Sequence, residues 1–119
     1  MLVILHNPRC RKSRAWLEVL KNSGRDFVIR EYLKNPLSYE ELVDLKNKLW
    51  MKAIEFTRVK EKEFKEAWLT KDSSDEEILK AMAKYPKLLE RPIVYTENKA
   101  VLWRPDPEEK IKKFLNSLQ

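Results

Sequence analysis

The chain opens with an apolar run, a proline-containing break and an amphipathic segment in close succession. Its first 32 residues read MLVILHNPRCRKSRAWLEVLKNSGRDFVIREY. Residues 1–5 predict a buried strand, which ends before Pro8 because proline cannot donate to a sheet ladder. Apolar residues recur at helical spacing over residues 11–22, and Gly24 stands where a left-handed residue ends a helix. Residues 27–32 predict a second strand, so this stretch forms a strand–helix–strand unit with parallel strands and a right-handed crossover.

The middle of the chain is predicted to be helical. Two capping boxes begin at Ser38 and Ser74 and mark helix starts, because each serine and the glutamate three residues later bind one another's backbone N–H groups. Tyr85-Pro86 ends the second of these helices. Residues 60–68 predict a short helix between them, with three inward-facing side chains: Phe64, Ala67 and Trp68.

The pattern then returns to strands. Residues 92–95 and 100–103 are apolar runs separated by turn residues, which predicts a hairpin. Asp106-Pro107 begins a last amphipathic helix. The order β-α-β, helices, β-β-α indicates an α/β protein with a thioredoxin-like fold and a helical insertion in the middle.

Length and composition exclude several classes of protein. A chain of 119 residues predicts a single domain, with its core at residues 1–34 and 90–119 and the insertion at about residues 35–89. One glycine excludes Walker A and dinucleotide-binding loops. One cysteine and one histidine exclude an internal disulfide, a thiolate-rich zinc site and a histidine cluster, so we expect no metal and no bound organic cofactor. No apolar run reaches the ~18 residues of a membrane span, and we expect a cytoplasmic protein with a free thiol.

The net charge of +6 is compatible with nucleic acid, an acidic partner or a small anionic substrate. Basic residues are spread along the whole chain and alternate with acidic ones, whereas a nucleic-acid-binding protein more often concentrates them on one face. The pattern therefore disfavours nucleic acid and leaves the other two classes open.

Cys10 is the leading candidate for chemistry. It directly precedes the first predicted helix, where unsatisfied backbone N–H groups and the positive end of the helix dipole favour a thiolate and suit an oxyanion. Four cationic residues surround it in the sequence: Arg9, Arg11, Lys12 and Arg14. Arg14 is also a candidate oxyanion ligand. The alternative is a buried, inert cysteine, which the proline-containing loop and the neighbouring charges disfavour.

Two polar residues near Cys10 each allow two interpretations. Ser13 either donates a hydrogen bond to the thiolate or is a solvated hydroxyl, and His6 either stabilises the thiolate as a cation or, when neutral, only hydrogen-bonds the loop. No second cysteine follows the C-x-x-C spacing, so a covalent intermediate would need an external thiol. Three arginines next to structural breaks suit oxyanion binding, although the pattern alone does not show that they converge: Arg58, Arg91 and Arg104.

Six stretches along the chain form a set of motifs in fixed order. They are residues 6–14 (HNPRCRKSR), 31–36 (EYLKNP), 57–61 (TRVKE), 82–86 (MAKYP), 88–94 (LLERPIV) and 104–105 (RP). Together they resemble the motifs of the glutaredoxin-coupled arsenate reductase (ArsC-like) family along essentially the whole chain.

The resemblance implies a thioredoxin-like fold and a reductase in which Cys10 attacks arsenate. Glutathione, as co-substrate, then attacks, arsenite leaves, and glutaredoxin reduces the Cys10–glutathione mixed disulfide. The resemblance also implies that His6 and Ser13 tune or orient Cys10. It assigns oxyanion binding to three arginines, Arg58, Arg91 and Arg104, and it matches Pro92 to the cis-proline of thioredoxin-like folds.

The chain departs from the family pattern at two tryptophans. Trp50 and Trp103 stand where the family usually has glycine, and Trp103 either reshapes an oxyanion pocket beside Arg104 or is a core residue at a strand end. Spx-type regulators, which bind RNA polymerase, share the fold and provide an alternative of another class. Many of them carry a C-x-x-C switch that this chain lacks. A redox-sensing family member without turnover is the third possibility.

Overall fold

The computed structural model describes residues 2–90, 92–102 and 113–114. Contacts divide the chain into two compact units, which we call the sheet unit (residues 1–31 and 91–119) and the helical unit (residues 32–90). That the chain forms one domain stays a prediction from the sequence.

The sheet unit contains a four-stranded mixed sheet in its described part. Its strands are β1 (Leu2–Leu5), β2 (Phe27–Arg30), β3 (Ile93–Tyr95) and β4 (Ala100–Leu102), arranged in the order β2-β1-β3-β4. β1 and β2 are parallel, whereas β3 is antiparallel to both β1 and β4. The predicted strand–helix–strand unit and the predicted hairpin are both confirmed. The second strand is shorter than predicted, since it ends at Arg30.

The helix α1 (Arg11–Asn22) connects β1 to β2 and packs on the sheet. Its buried face inserts Trp16 and Leu20 into an apolar cluster, which also contains Leu2, Ile4, Val94 and Phe114. Complete burial of such a side chain contributes about 1.5–3 kcal/mol. Gly24 follows the helix with a φ of 75°, as its predicted position requires. This packing fixes the position of α1 on the sheet, and with it the position of the helix N-terminus that follows the loop after β1.

The helical unit is built from three α-helices and two short 3-10 helices. They are α2 (Tyr39–Leu49), a 3-10 helix at Ala53–Phe56, α3 (Lys62–Glu66), α4 (Asp75–Lys84) and a 3-10 helix at Pro86–Leu88. Both predicted capping boxes are present, at Ser38 and at Ser74. α4 packs against α2 and both 3-10 helices, and an isolated bridge pairs Thr57 with Leu89. No helix among the described residues is long and apolar enough to cross a membrane.

The predicted helix over residues 60–68 is wrong in its extent and in one inward-facing residue. Phe64 is buried as predicted and Ala67 is half-buried, but Trp68 is 91% exposed. The reason is a Schellman ending, in which Trp68 N–H donates to the Lys65 carbonyl and Leu69 N–H donates to the Phe64 carbonyl. The left-handed residue of this motif is Trp68, with a φ of 60°. The motif turns Trp68 outward and buries Leu69 in its place.

Several predictions fall outside the described residues. They concern Arg91, Trp103, Arg104 and the start of the last helix at Asp106-Pro107. Pro92 is described and buried, directly before β3. Its assignment as a cis-proline stays a prediction.

Candidate active site

The loop from His6 to Cys10 connects β1 to α1 and places Cys10 at the N-cap of the helix. The His6 N–H donates to the Arg30 carbonyl (2.9 Å) and so anchors the start of the loop to β2. Cys10 has extended backbone geometry, and its carbonyl accepts the Arg14 N–H (3.0 Å), which is the first bond of the helix. The residue is partly exposed. It therefore lies at the helix start that the sequence predicts, and it is not sealed inside the core.

Asn7 holds this loop in shape through three hydrogen bonds. Its side-chain Oδ1 accepts the Arg9 N–H (3.0 Å), and its carbonyl accepts the Cys10 N–H (2.9 Å). Its own N–H donates to Ser13 Oγ (3.0 Å). Asn7 is buried, so each of these groups would be costly to leave unsatisfied. No role for Asn7 was predicted from the sequence, although Asn-Pro is a recognised turn signal that could have pointed to it.

His6 and Ser13 form a buried pair beneath the loop. The Nδ1 atom of His6 lies 2.6 Å from Ser13 Oγ, and both side chains are buried. Burial lowers the pKa of His6 below its usual value of 6.5, and the positive charges of Lys21 and Arg14 lower it further, while Glu31 opposes them. A lowered pKa favours the neutral imidazole at neutral pH, and the side-chain contact of His6 is with Ser13 of α1. The structure therefore disfavours the interpretation in which a cationic His6 stabilises the thiolate.

The first turn of α1 is cationic and carries no acidic residue. In the described part of the chain, the Cys10 side chain makes no capping hydrogen bond to this turn. The N–H groups of the first residues have no partner within a helix, so those of Arg11, Lys12 and Ser13 point toward the space beyond the N-terminus. Arg14 returns to the loop instead, where its Nη1 donates to the Pro8 carbonyl (3.1 Å). The result is a helix start with partial and full positive charges beside a sulfur atom.

Arg58 belongs to the helical unit and is held by two contacts there. Its Nη1 lies 2.7 Å from Glu61 Oε1, and its N–H donates to the Leu88 carbonyl (2.7 Å). Both members of the ion pair are partly buried. The pair orients the guanidinium, and Glu61 is a second residue for which no role was predicted from the sequence. The R-x-x-E spacing could have identified it only as an ion pair on a turn.

The structure thus brings four of the predicted site residues together, namely His6, Cys10, Ser13 and Arg14, within the loop and the first turn of α1. Arg91 and Arg104 lie outside the described residues, so their roles stay predictions. No cluster of acidic, histidine or cysteine side chains suited to a metal ion occurs in residues 2–90, 92–102 and 113–114.

Comparison with known proteins gives a consistent result. The model of the ArsC family matches residues 5–114. An arsenate reductase of Neisseria meningitidis serogroup A is 42% identical over 104 residues, which cover 86% of this chain and 89% of that protein. One from Haemophilus influenzae is 37% identical and covers 87% of this chain and 91% of its own. The solved structure of an arsenate reductase from Vibrio cholerae superposes with a TM-score of 0.85 at 40% identity, covering 93% of this chain and 95% of that one.

These matches extend over nearly the whole chain, and they include both the loop with Cys10 and the helical unit. The solved relatives share the mixed sheet and helices described above, so the predicted thioredoxin-like α/β fold is confirmed. The chain belongs to the ArsC family.

Proposed function

We propose that this protein reduces an oxyanion of the arsenate type and that Cys10 is its nucleophile. Membership of the ArsC family supports a thiol-dependent reductase, and several relatives are named arsenate reductases. The observation that carries the proposal is the position of Cys10 at the N-cap of α1, partly exposed and next to a cationic first turn. Such a position favours the thiolate, which is the reactive form of cysteine.

The chemistry begins with a condensation. The Cys10 thiolate attacks arsenic, an As–S bond forms, and one arsenate oxygen leaves as water after protonation, so that arsenic stays pentavalent. Arsenate is a dianion near neutral pH, and a thiolate that approaches it is repelled. The N–H groups and cations at the start of α1 offset this repulsion and stabilise the charge that develops on the oxygens.

The reduction step needs a second thiol, which we assign to glutathione. Its sulfur attacks the Cys10 sulfur, an S–S bond forms and the As–S bond breaks. The electron pair of that bond stays on arsenic, which becomes trivalent and leaves as arsenite. A glutaredoxin thiol then reduces the Cys10–glutathione disulfide and restores the Cys10 thiolate. An external thiol is required because the chain has one cysteine.

His6, Asn7 and Ser13 act on Cys10 by positioning. Ser13 Oγ accepts the Asn7 N–H and contacts His6 Nδ1. If Nδ1 carries the imidazole proton, both acceptor sites of the hydroxyl are filled and its own hydrogen is left to donate to the Cys10 sulfur. If Nε2 carries it, that hydrogen is donated to Nδ1. The tautomer of His6 therefore decides whether Ser13 stabilises the thiolate.

By the family resemblance, we assign oxyanion binding to three arginines: Arg58, Arg91 and Arg104. A planar guanidinium binds two oxygens of a tetrahedral anion at once. For Arg58, the ion pair with Glu61 limits the orientations that the side chain can adopt. If one such contact contributes about 3 kcal/mol in the transition state, its loss lowers the rate by roughly a hundredfold.

The direct test is turnover of arsenate with glutathione and glutaredoxin, followed by NADPH oxidation through glutathione reductase. We expect arsenate-dependent oxidation, and weaker oxyanion binding in the Arg91→Ala and Arg104→Ala variants. Lys87→Ala removes an exposed cation from the helical unit and serves as the matched control. Absence of arsenate-dependent turnover with the complete coupling system would contradict the assignment of arsenate as substrate. Unchanged oxyanion affinity in both arginine variants would remove these residues from the site.

A further inference from the structure

The strand β2 is an edge strand that exposes apolar side chains on both faces of the sheet. Val28 and Ile29 are each 45% exposed, and consecutive residues of a strand point to opposite faces. In the part of the chain that the structure describes, β2 pairs on one side, with β1. Edges of this kind are templates for pairing with another strand, and proteins that avoid such pairing place charges or proline within the edge. The apolar centre of β2 contains neither.

The hydrogen bonds of β2 determine which residues could pair across its outer edge. The Arg30 carbonyl accepts the His6 N–H, so the backbone groups of Arg30 face β1. These groups alternate in direction along a strand, so those of Val28 also face β1, and those of Phe27 and Ile29 face outward. In an antiparallel pair, a residue whose backbone N–H and C=O groups face the partner strand must lie opposite a residue whose groups also face it. This requirement excludes every second register.

One of the allowed registers is self-complementary in charge. When two copies of β2 pair around a two-fold axis at Val28, Phe27 lies opposite Ile29 of the other copy. Three charged residues directly flank β2: Arg25, Asp26 and Glu31. When the same register is continued past the ends of the strand, Asp26 lies opposite Arg30 and Arg25 opposite Glu31, and the symmetry repeats both pairs. A register centred on Phe27 or on Ile29 loses both pairs. Arg25, Arg30 and Glu31 already interact with other groups in the chain, so the pairs across the axis would be additional contacts.

We propose that a second copy of this chain docks on β2, with the two strands antiparallel and Val28 on the two-fold axis. The contact is isologous, since the same residues contribute from both copies. It joins the two sheets edge to edge into a continuous sheet. A contact between two short strands is smaller than the roughly 1,200 Å² of stable complexes, so we expect a dimer that dissociates in the micromolar to millimolar range.

Sedimentation equilibrium of the full chain over a range of concentrations tests the dimer. We expect a reversible monomer–dimer equilibrium, and we expect Asp26→Arg or Arg30→Asp alone to raise the dissociation constant by about tenfold or more, because each places like charges opposite one another on both sides of the axis. Glu97→Arg introduces the same charge change as Asp26→Arg at an exposed turn position and should leave the constant unchanged. Far-UV circular dichroism verifies that each variant is folded.

Mixing the two charge variants tests the register itself. In the heterodimer of Asp26→Arg with Arg30→Asp, each arginine again faces an aspartate, so we expect native mass spectrometry to show heterodimers well in excess of either homodimer. A chain that remains monomeric up to about 1 mM overturns the proposal. The register, and therefore this docking surface, is overturned in two cases. One is a dissociation constant that neither Asp26→Arg nor Arg30→Asp changes, and the other is a pair of folded variants that forms no heterodimer when mixed.

Discussion

The three longest helices of the described chain begin in two different ways. α2 and α4 begin with a serine whose side chain accepts an N–H of the first turn, and both first turns are acidic. α1 begins with Cys10, whose side chain makes no such bond in the described structure, and its first turn is cationic. Acidic residues and a serine cap stabilise a helix N-terminus, whereas cations there oppose the dipole.

This difference separates two capped helix starts from the one at which we propose that the chemistry takes place. In α2 and α4, the capping boxes use the N–H groups that would otherwise have no partner. In α1, Asn7 and Ser13 hydrogen-bond within the loop around Cys10, and in the described structure the Cys10 side chain caps none of the first-turn N–H groups. A helix start that is poorly suited to stability is therefore a physical indication of function.

The largest effect is expected from converting the start of α1 to that of α2. Cys10→Ser removes the nucleophile and installs a preferred N-cap residue, so we expect turnover to fall by about 10³-fold or more. We expect the free energy of unfolding to rise by up to about 1 kcal/mol. The coupled arsenate assay and urea unfolding measure the two quantities. A variant that keeps substantial turnover would refute Cys10 as nucleophile.

The converse change weakens a cap in the helical unit. Ser74→Ala leaves the Glu77 N–H without its side-chain acceptor, which should lower the free energy of unfolding by about 1 kcal/mol. Turnover should be unchanged at a temperature where the variant is folded. Ser38→Ala is the matched change at α2 and should give a similar loss. If either serine variant lost turnover without unfolding, the distinction between the two kinds of helix start would fail.

The helix ends extend the comparison. Gly24 follows α1 with a φ of 75°, whereas Trp50 ends α2 with a φ of 57°. A left-handed conformation costs a residue with a side chain about 1–2 kcal/mol, part of which the flexibility of glycine offsets. The Trp50 ring is 92% exposed and contributes little burial. Trp50→Gly should therefore raise the free energy of unfolding by up to about 1 kcal/mol.

Trp50→Ala separates strain from the loss of the indole ring. It removes the ring but keeps a side chain at positive φ, so its unfolding free energy should stay near that of the original chain. Urea unfolding of the two variants provides the comparison. Equal stabilisation by glycine and alanine would show that the ring, and not the backbone conformation, is unfavourable.

The smallest effect concerns the pH dependence of stability at the buried His6. Its pKa is lowered in the folded state by burial, so the unfolded chain binds the proton more readily. Stability should therefore decrease as the pH falls through 6.5, and the full penalty is reached below the folded pKa. His6→Gln should lack this component. Urea unfolding between about pH 7.5 and 5.5 gives the difference between the two proteins, and identical slopes would contradict a lowered pKa.

The capped helix starts of the helical unit were predictable from the sequence, since a capping box depends on two residues three positions apart. The exposure of Trp68 was not predictable from helical periodicity. The period assumes a continuing helix, whereas α3 ends after Glu66 and a left-handed residue reverses the chain. The role of Asn7 was missed for a related reason. Its three hydrogen bonds depend on the backbone conformation of the loop, which the sequence pattern does not specify.

The sequence by itself determined the order of strands and helices, the family, and the position of Cys10 before a cationic helix start. These depend on patterns within about ten residues and on motifs in fixed order. The tertiary structure decided that His6 is buried, with a lowered pKa, beside Ser13, and that β2 lies at an edge of the described sheet with outward-facing groups on Phe27 and Ile29. Burial and strand order arise from contacts between segments that are distant in the sequence. A local sequence pattern therefore does not show which groups these contacts exclude from solvent.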